Sequence, residues 1–220
     1  MRRQQPSYLL LRPSLLMSVP TSRQAFAFLA PLRGRTSVFI TPSRRRNSKV
    51  ARFLLGSLAA SRERTVLFDT SSFYGVNMQA LTESLPRDFL QQSILIEPPD
   101  GQPLEDSLAD LLTMKPRAIV IDDLNSLHYL LSASAQRSGT HQLFNYLRLL
   151  AFDAKLFNTF VFLTVYRAEG DPSTGKATKR SLPAAGDLQI FTDERAGNIT
   201  FRCDQAKGWP NHQFSAPLYF

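Results

Sequence analysis

Short runs of apolar, β-branched and aromatic residues alternate along this chain with segments whose apolar residues recur at helical spacing. The runs are residues 36–41 (TSVFIT), 65–69 (TVLFD), 93–96 (SILI), 117–122 (RAIVID) and 159–166 (TFVFLTVY). Residues 48–60 place Val50, Phe53, Leu54, Ser57 and Leu58 on one helical face, and residues 141–157 do the same with Leu143, Leu147, Leu150, Ala151 and Ala154. Residues 22–32, 77–85, 103–113 and 124–131 read as further helices. Short, almost wholly apolar runs are what strands look like when both faces of a parallel sheet are covered. Strand and helix in alternation therefore predict an α/β fold with a mainly parallel central sheet and helices on both faces. After residue 186 the pattern changes. Residues 187–192, 199–204 and 214–219, with a turn at 196–198, predict antiparallel edge strands.

Charge is distributed unevenly. Residues 1–62 hold 12 Lys/Arg and no acid, while residues 63–220 hold 14 Lys/Arg and 18 Asp/Glu. The head carries +12 and the body −4, which points to a polyanionic partner for the head. An Arg- and Ser-rich, acid-free start also has the composition of a mitochondrial transit peptide, and both readings of residues 1–20 stay open. We take residues 1–20 as an arm or extension and 21–220 as one core domain. No apolar run reaches the roughly 18 residues needed to span a bilayer, so no membrane partner is expected. With Cys203 alone, no internal disulfide can form, and a cytoplasmic, nucleoid or nuclear setting is the simpler expectation. His128, His141 and His212 share no metal-ligand spacing, so no metal site is expected. Trp209 and Tyr219 are read as buried in the edge sheet rather than at an interface.

In an open parallel sheet, ligands bind beyond the C-terminal strand ends. The first such crevice follows residue 41. A phosphate-binding loop there would read G-x-x-x-x-G-K-[ST]. In that register this chain has Ser43, Arg44, Arg45, Arg46, Asn47, Ser48, Lys49 and Val50. The lysine is present. Both glycines are serines, whose Cβ disfavours the positive φ such a loop uses. Val50 offers no oxygen to Mg²⁺. A plain basic surface loop over residues 42–47 would give the same letters. Arg44, Arg45, Arg46 and Lys49 nonetheless gather four cations where a helix N-terminus favours phosphate.

The order and spacing of these segments resemble the core of the RecA/RadA recombinase superfamily, including RadA paralogues and KaiC-like proteins. Residues 19–39 are similar to the lead-in to its phosphate-loop strand. Residues 65–73 (TVLFDTSSF) resemble the strand that ends at the water-activating Glu, where this chain has Ser71, which cannot serve as that base at neutral pH. Residues 118–122 (AIVID) resemble the metal-holding strand, with Asp122 at its end; an acid there also has an ordinary use in capping the next turn. The γ-phosphate-sensing Gln is missing near Tyr166. Loops 132–140 and 167–183 fall where recombinases carry their DNA-binding loops, which singles out Arg137, Lys176, Lys179 and Arg180 as backbone contacts.

The resemblance implies a RecA-like three-layer fold. It also implies an ATPase-inactive paralogue that binds nucleic acid, DNA in preference to RNA, as an accessory subunit in recombination or repair. The expected assembly is a homo- or hetero-oligomer with RecA-like subunits. No cofactor and no enzymatic activity are expected. Lys49 and Asp122 survive, which leaves residual ATP binding open. Two other readings stand beside this one: a RecA-fold subunit of an Elongator-like tRNA-modifying assembly, and a KaiC-like nucleotide-binding regulator without hydrolysis.

Overall fold

The computed structural model describes residues 20–71, 74, 85–96, 104–134, 139–166, 187–195, 197–204, 206 and 208–217. The strands are β1 (Thr36–Thr41), β2 (Thr65–Asp69), β3 (Ile94–Ile96), β4 (Ala118–Asp122), β5 (Phe160–Tyr166), β6 (Leu188–Arg195), β7 (Asn198–Arg202) and β8 (Gln213–Pro217). The helices are α1 (Ser22–Leu29), α2 (Arg44–Ala60), α3 (Arg87–Gln92), α4 (Leu104–Thr113), α5 (Leu124–Ser134) and α6 (Gly139–Phe157). All eight strands form one sheet in the order β3-β2-β4-β5-β1-β6-β7-β8. The six from β3 to β6 are mutually parallel. β7 and β8 close the edge antiparallel. This is the expected α/β architecture.

Every residue of β1, β2 and β4 is buried, because each of these strands has a neighbour on both sides and helices above and below. The pleat sends alternate residues to two cores. Phe39, Leu67, Val120 and Phe162 face α1 and α2, where Phe28, Phe53, Leu54 and Leu58 receive them. Val38, Val66, Ile119 and Val161 face α4, α5 and α6, where Leu111, Leu127, Leu147 and Leu150 receive them. α1 starts on a capping box, with Thr21 Oγ1 accepting from Gln24 N–H and Gln24 Oε1 accepting from Thr21 N–H at 3.1 Å. Trp209 is buried, as expected, and its indole N–H donates to the Phe28 carbonyl at 3.0 Å.

Three element readings change. α2 begins at Arg44, not at residue 48, so the basic loop expected at 42–47 is largely helix. α5 runs to Ser134 and α6 starts at Gly139, so little of the loop expected at 132–140 remains. α3, a six-residue helix, is not anticipated by the residue pattern because it is too short for a 3.6 period to emerge. The arm at 1–19, most of the helix expected at 77–85, the loop at 167–183 and Tyr219 lie outside the described residues. Among the described residues, no helix is long and apolar enough to cross a membrane.

Candidate functional site

Only Pro42 and Ser43 separate the C-terminal end of β1 from the start of α2. Ser43 is extended (φ −156°, ψ 158°) and serves as N-cap, its Oγ accepting from Arg46 N–H at 3.4 Å. No residue from 42 to 50 has positive φ. A phosphate cradle is made by backbone that curls through glycine-type conformations. Here the glycine positions are serines and the stretch between them carries arginines, which are good helix formers behind a good N-cap residue. The residues read against the register of a phosphate loop, 43–50, are the N-cap and first two turns of a helix.

That conversion decides where each candidate side chain goes. Val50 is fully buried in the core between α2 and the sheet. Ser48 is half-buried on α2. Lys49 reaches across to β6, where its Nζ lies 2.6 Å from Glu194 Oε1. Arg46 Nε stands 3.8 Å from the other oxygen of the same carboxylate. Arg44 and Arg45 are exposed. They occupy the first two helical positions, whose amides have no intrahelical acceptor. Arg137, Lys176, Lys179 and Arg180 lie outside the described residues.

Beneath the helix start lies a buried polar network that joins three elements. Asn47 Nδ2 donates to Asp122 Oδ1 at 2.9 Å and to Thr164 Oγ1 at 2.8 Å. Thr164 Oγ1 itself donates to Asp122 Oδ1 at 2.5 Å. Thr41 Oγ1 lies 3.3 Å from Asn47 Oδ1. Asn47, Asp122 and Thr164 are all buried. Burial pushes the Asp122 carboxyl up to about 7; the Thr164 hydrogen bond opposes this, and the nearby Asp123 and Asp69 add to it. Tyr74, fully buried beside Asp122, has its phenol pushed well above the usual range by desolvation and by that acid. Asp122 therefore ties β4 to α2 and β5. The capping role considered for it belongs instead to its neighbour, since Asp123 Oδ1 accepts from Ser126 N–H at 2.7 Å at the start of α5. Burial raises Asp123 as well, against its hydrogen bonds from Ser126 and the charge of Arg44.

Ser71 follows the end of β2 by two residues. Its N–H and hydroxyl lie 3.3 and 3.1 Å from Asp69 Oδ1. Asp69 Oδ2 accepts from Tyr74 N–H at 2.6 Å. Asp69 thus organises the turn after β2.

Among solved structures, the whole architecture is similar to a crystal structure of the RadB recombinase. The TM-score is 0.61 at 18% identity, and the match covers 92% of this chain and 96% of that one. The chain has the RecA/RadA fold. No family model matches the sequence, and no curated protein does. The resemblance carried by segment order thus holds at the level of the fold; beyond the end of β1, Lys49 and Arg46 meet Glu194, while Asp122 lies buried beneath the start of α2.

Sequence reasoning missed Asn47, Thr164, Tyr74, Asp123 and Glu194. Asn47 had a signal: it lies three, four and seven residues before Val50, Ala51 and Leu54, on the buried stripe of α2. A polar side chain on such a stripe needs an internal partner. Nothing local distinguishes Glu194, whose role depends on β6 lying beside β1.

Proposed function

We propose that this chain is a RecA-fold subunit that binds nucleic acid through the cationic start of α2 and does not hydrolyse ATP. The observation that carries the reading is the continuous helix from Arg44, which replaces the loop a nucleotide would need and turns Lys49 to Glu194. Phosphoryl transfer depends on positioned backbone amides, a metal-holding hydroxyl and a base or water-orienting group. Val50 is buried, Ser71 stands at the base position, and the Asp122 oxygen nearest the helix already accepts from two side chains. Arg44 and Arg45 sit at a helix N-terminus, where phosphate is favoured by the dipole and by unpaired amides. The RadB likeness supports a role beside RecA-like partners in recombination or repair, with DNA as the nucleic acid.

Labelled single-stranded DNA, duplex DNA and tRNA, titrated by fluorescence anisotropy across a salt series with and without ATP and Mg²⁺, test this. Binding should be independent of ATP. The R44A/R45A/R46A variant should weaken it, and its log–log salt slope on single-stranded DNA should be shallower by about 2, at roughly 0.7 for each phosphate no longer neutralised. ATP turnover should stay at background. ATP-dependent binding, or a salt slope unchanged in the variant, would sink the reading. Strong preference for tRNA would transfer the site to an RNA-modifying assembly, and nucleotide binding without nucleic acid would make the chain a KaiC-like regulator.

Glu194 supplies a second prediction. Its carboxylate neutralises Lys49 and draws Arg46. E194Q should remove the negative charge that faces both cations, tightening DNA binding several-fold at low salt and steepening the single-strand salt slope by up to about 1.4, at roughly 0.7 per cation. Unaltered affinity in E194Q would show that the ion pair is not in competition with phosphate.

A further inference from the structure

The opposite end of the parallel strands, where they start, carries a pattern that the α2 site does not use. Three parallel strands begin immediately after the same two-cation motif: Arg33-Gly34-Arg35 before β1, Arg62-Glu63-Arg64 before β2, and Lys115-Pro116-Arg117 before β4. The six cations are exposed. The backbone sets their order along this end. Arg117 N–H donates to the Arg64 carbonyl at 3.0 Å, Phe160 N–H to the Arg117 carbonyl at 3.0 Å, and Val161 N–H to the Arg35 carbonyl at 3.4 Å. Arg64, Arg117 and Arg35 thus form a row at the starts of β2, β4 and β1, with β5 between the last two. At about 4.8 Å per strand the row is about 14 Å long.

Some charge at this end is already matched. Arg33 pairs with Glu63, Lys155 Nζ lies 2.9 Å from Asp187 Oδ1, and Lys115 acts on the half-buried Asp153. No carboxylate among the described residues forms an ion pair with Arg35, Arg62, Arg64 or Arg117. Cations near helix C-termini ordinarily serve the helix dipole. Arg62, Lys115 and Lys155 meet that need at the ends of α2, α4 and α6. Arg35, Arg64 and Arg117 stand beyond the helices, at the strand starts. Arg62 also holds a left-handed backbone (φ 55°) in the turn that closes α2, a place usually given to glycine, so a long cation is kept there against the local preference. Beside Arg35 the surface dips into an open depression of about 620 Å³ walled by Arg33, Arg35, Lys155, Asn158 and Asp187, the last paired with Lys155.

We propose that this arginine row is a second nucleic-acid backbone contact, at the N-terminal ends of the strands, opposite the start of α2. Phosphate contacts of this kind are made by ranked cations without base-reading groups, and they position a strand without selecting its sequence. An acidic protein is a poorer fit, because protein interfaces are anchored by buried aromatic and aliphatic side chains. Among the described residues, the exposed large apolar side chains lie on α1, α5, α6 and β6, and none lies in the three arginine-bearing segments. The site rests on the α2 reading for nothing but the class of ligand.

The test uses the full chain and labelled single-stranded DNA in a salt series. R35Q/R64Q/R117Q should make the slope shallower by about 2, at roughly 0.7 per phosphate, whereas R35K/R64K/R117K should keep it. All three positions are exposed, so thermal midpoints should match wild type. Full retention of affinity and slope in the Gln variant, with weakening confined to R44A/R45A/R46A, overturns this site and leaves the α2 reading in place. Weakening in the Gln variant alone supports this site and removes the α2 one. Binding of poly-glutamate as tight as that of DNA at equal charge and salt overturns the nucleic-acid assignment, and a wild-type chain that binds no nucleic acid overturns both.

Discussion

Replacing Asp122 by asparagine is expected to raise the stability of the fold above pH 7 and to flatten its dependence on pH. The folded carboxyl takes its proton near pH 7, against an ordinary value of 3.8, because burial penalises its charge more than the Thr164 hydrogen bond favours it. Between about pH 4 and 7 the native state therefore binds a proton that the unfolded chain does not, and stability falls as pH rises through that window. Below pH 4 the penalty is absent; above pH 7 it is complete. Three units correspond to about 4 kcal/mol at most. In the asparagine variant the side-chain oxygen still accepts from Asn47 and Thr164, so the network keeps its geometry while the ionisation is removed. Urea unfolding at pH 5 and pH 8 is the measurement. Wild type should lose stability between the two, and the variant should lose much less, retaining the part due to Asp123, whose carboxyl burial also raises. Equal pH dependence in both proteins would show that Asp122 ionises freely in the native state.

Phe28→Ala is expected to be the most damaging single truncation in the core on the α1 side. The Phe28 ring is fully buried, with the rings of Phe53, Phe201 and Phe214 at centroid distances of 5.0, 5.0 and 5.1 Å and Trp209 stacked at 5.4 Å. These partners come from α2, β7, β8 and the turn before β8, so one side chain joins the parallel sheet to its antiparallel edge. Removing a buried phenyl costs about 3–5 kcal/mol, the upper end applying where the walls cannot collapse. For a chain of this size that is a fall in midpoint of roughly 10 °C. A decrease below about 1 kcal/mol in urea, with an unchanged m-value, would mean that the aromatic cluster repacks around the void.

The strands were legible because their signal is local. A strand covered on both faces has to be apolar throughout, and β1 and β2 have the same limits in the structure as in the pattern of residues. The edge meander was legible from its β-forming residues and the turn at 196–198, although its boundaries moved by one to three positions. The start of α2 was not. Residues 42–47 were read as a basic loop, while the N-cap at Ser43 and the arginine run favour a helix, and the helix prevails. Capping and propensity act over three or four residues, whereas a cradle needs glycines that this chain lacks.

From the sequence alone come the fold class, the order of the strands along the chain, the two covered faces of the sheet, and the separation of a basic head from an acidic body. All of these follow from periodicity and composition, which each segment carries by itself. Tertiary structure alone decides that Lys49 meets Glu194, that Asn47 satisfies Asp122 and Thr164, and that Arg35, Arg64 and Arg117 fall into one row. Those residues are separated by tens to more than a hundred positions, and only the strand order 3-2-4-5-1-6 makes them neighbours. Strand order follows from which hydrophobic faces pack together across the whole domain, and no local stretch of residues encodes it.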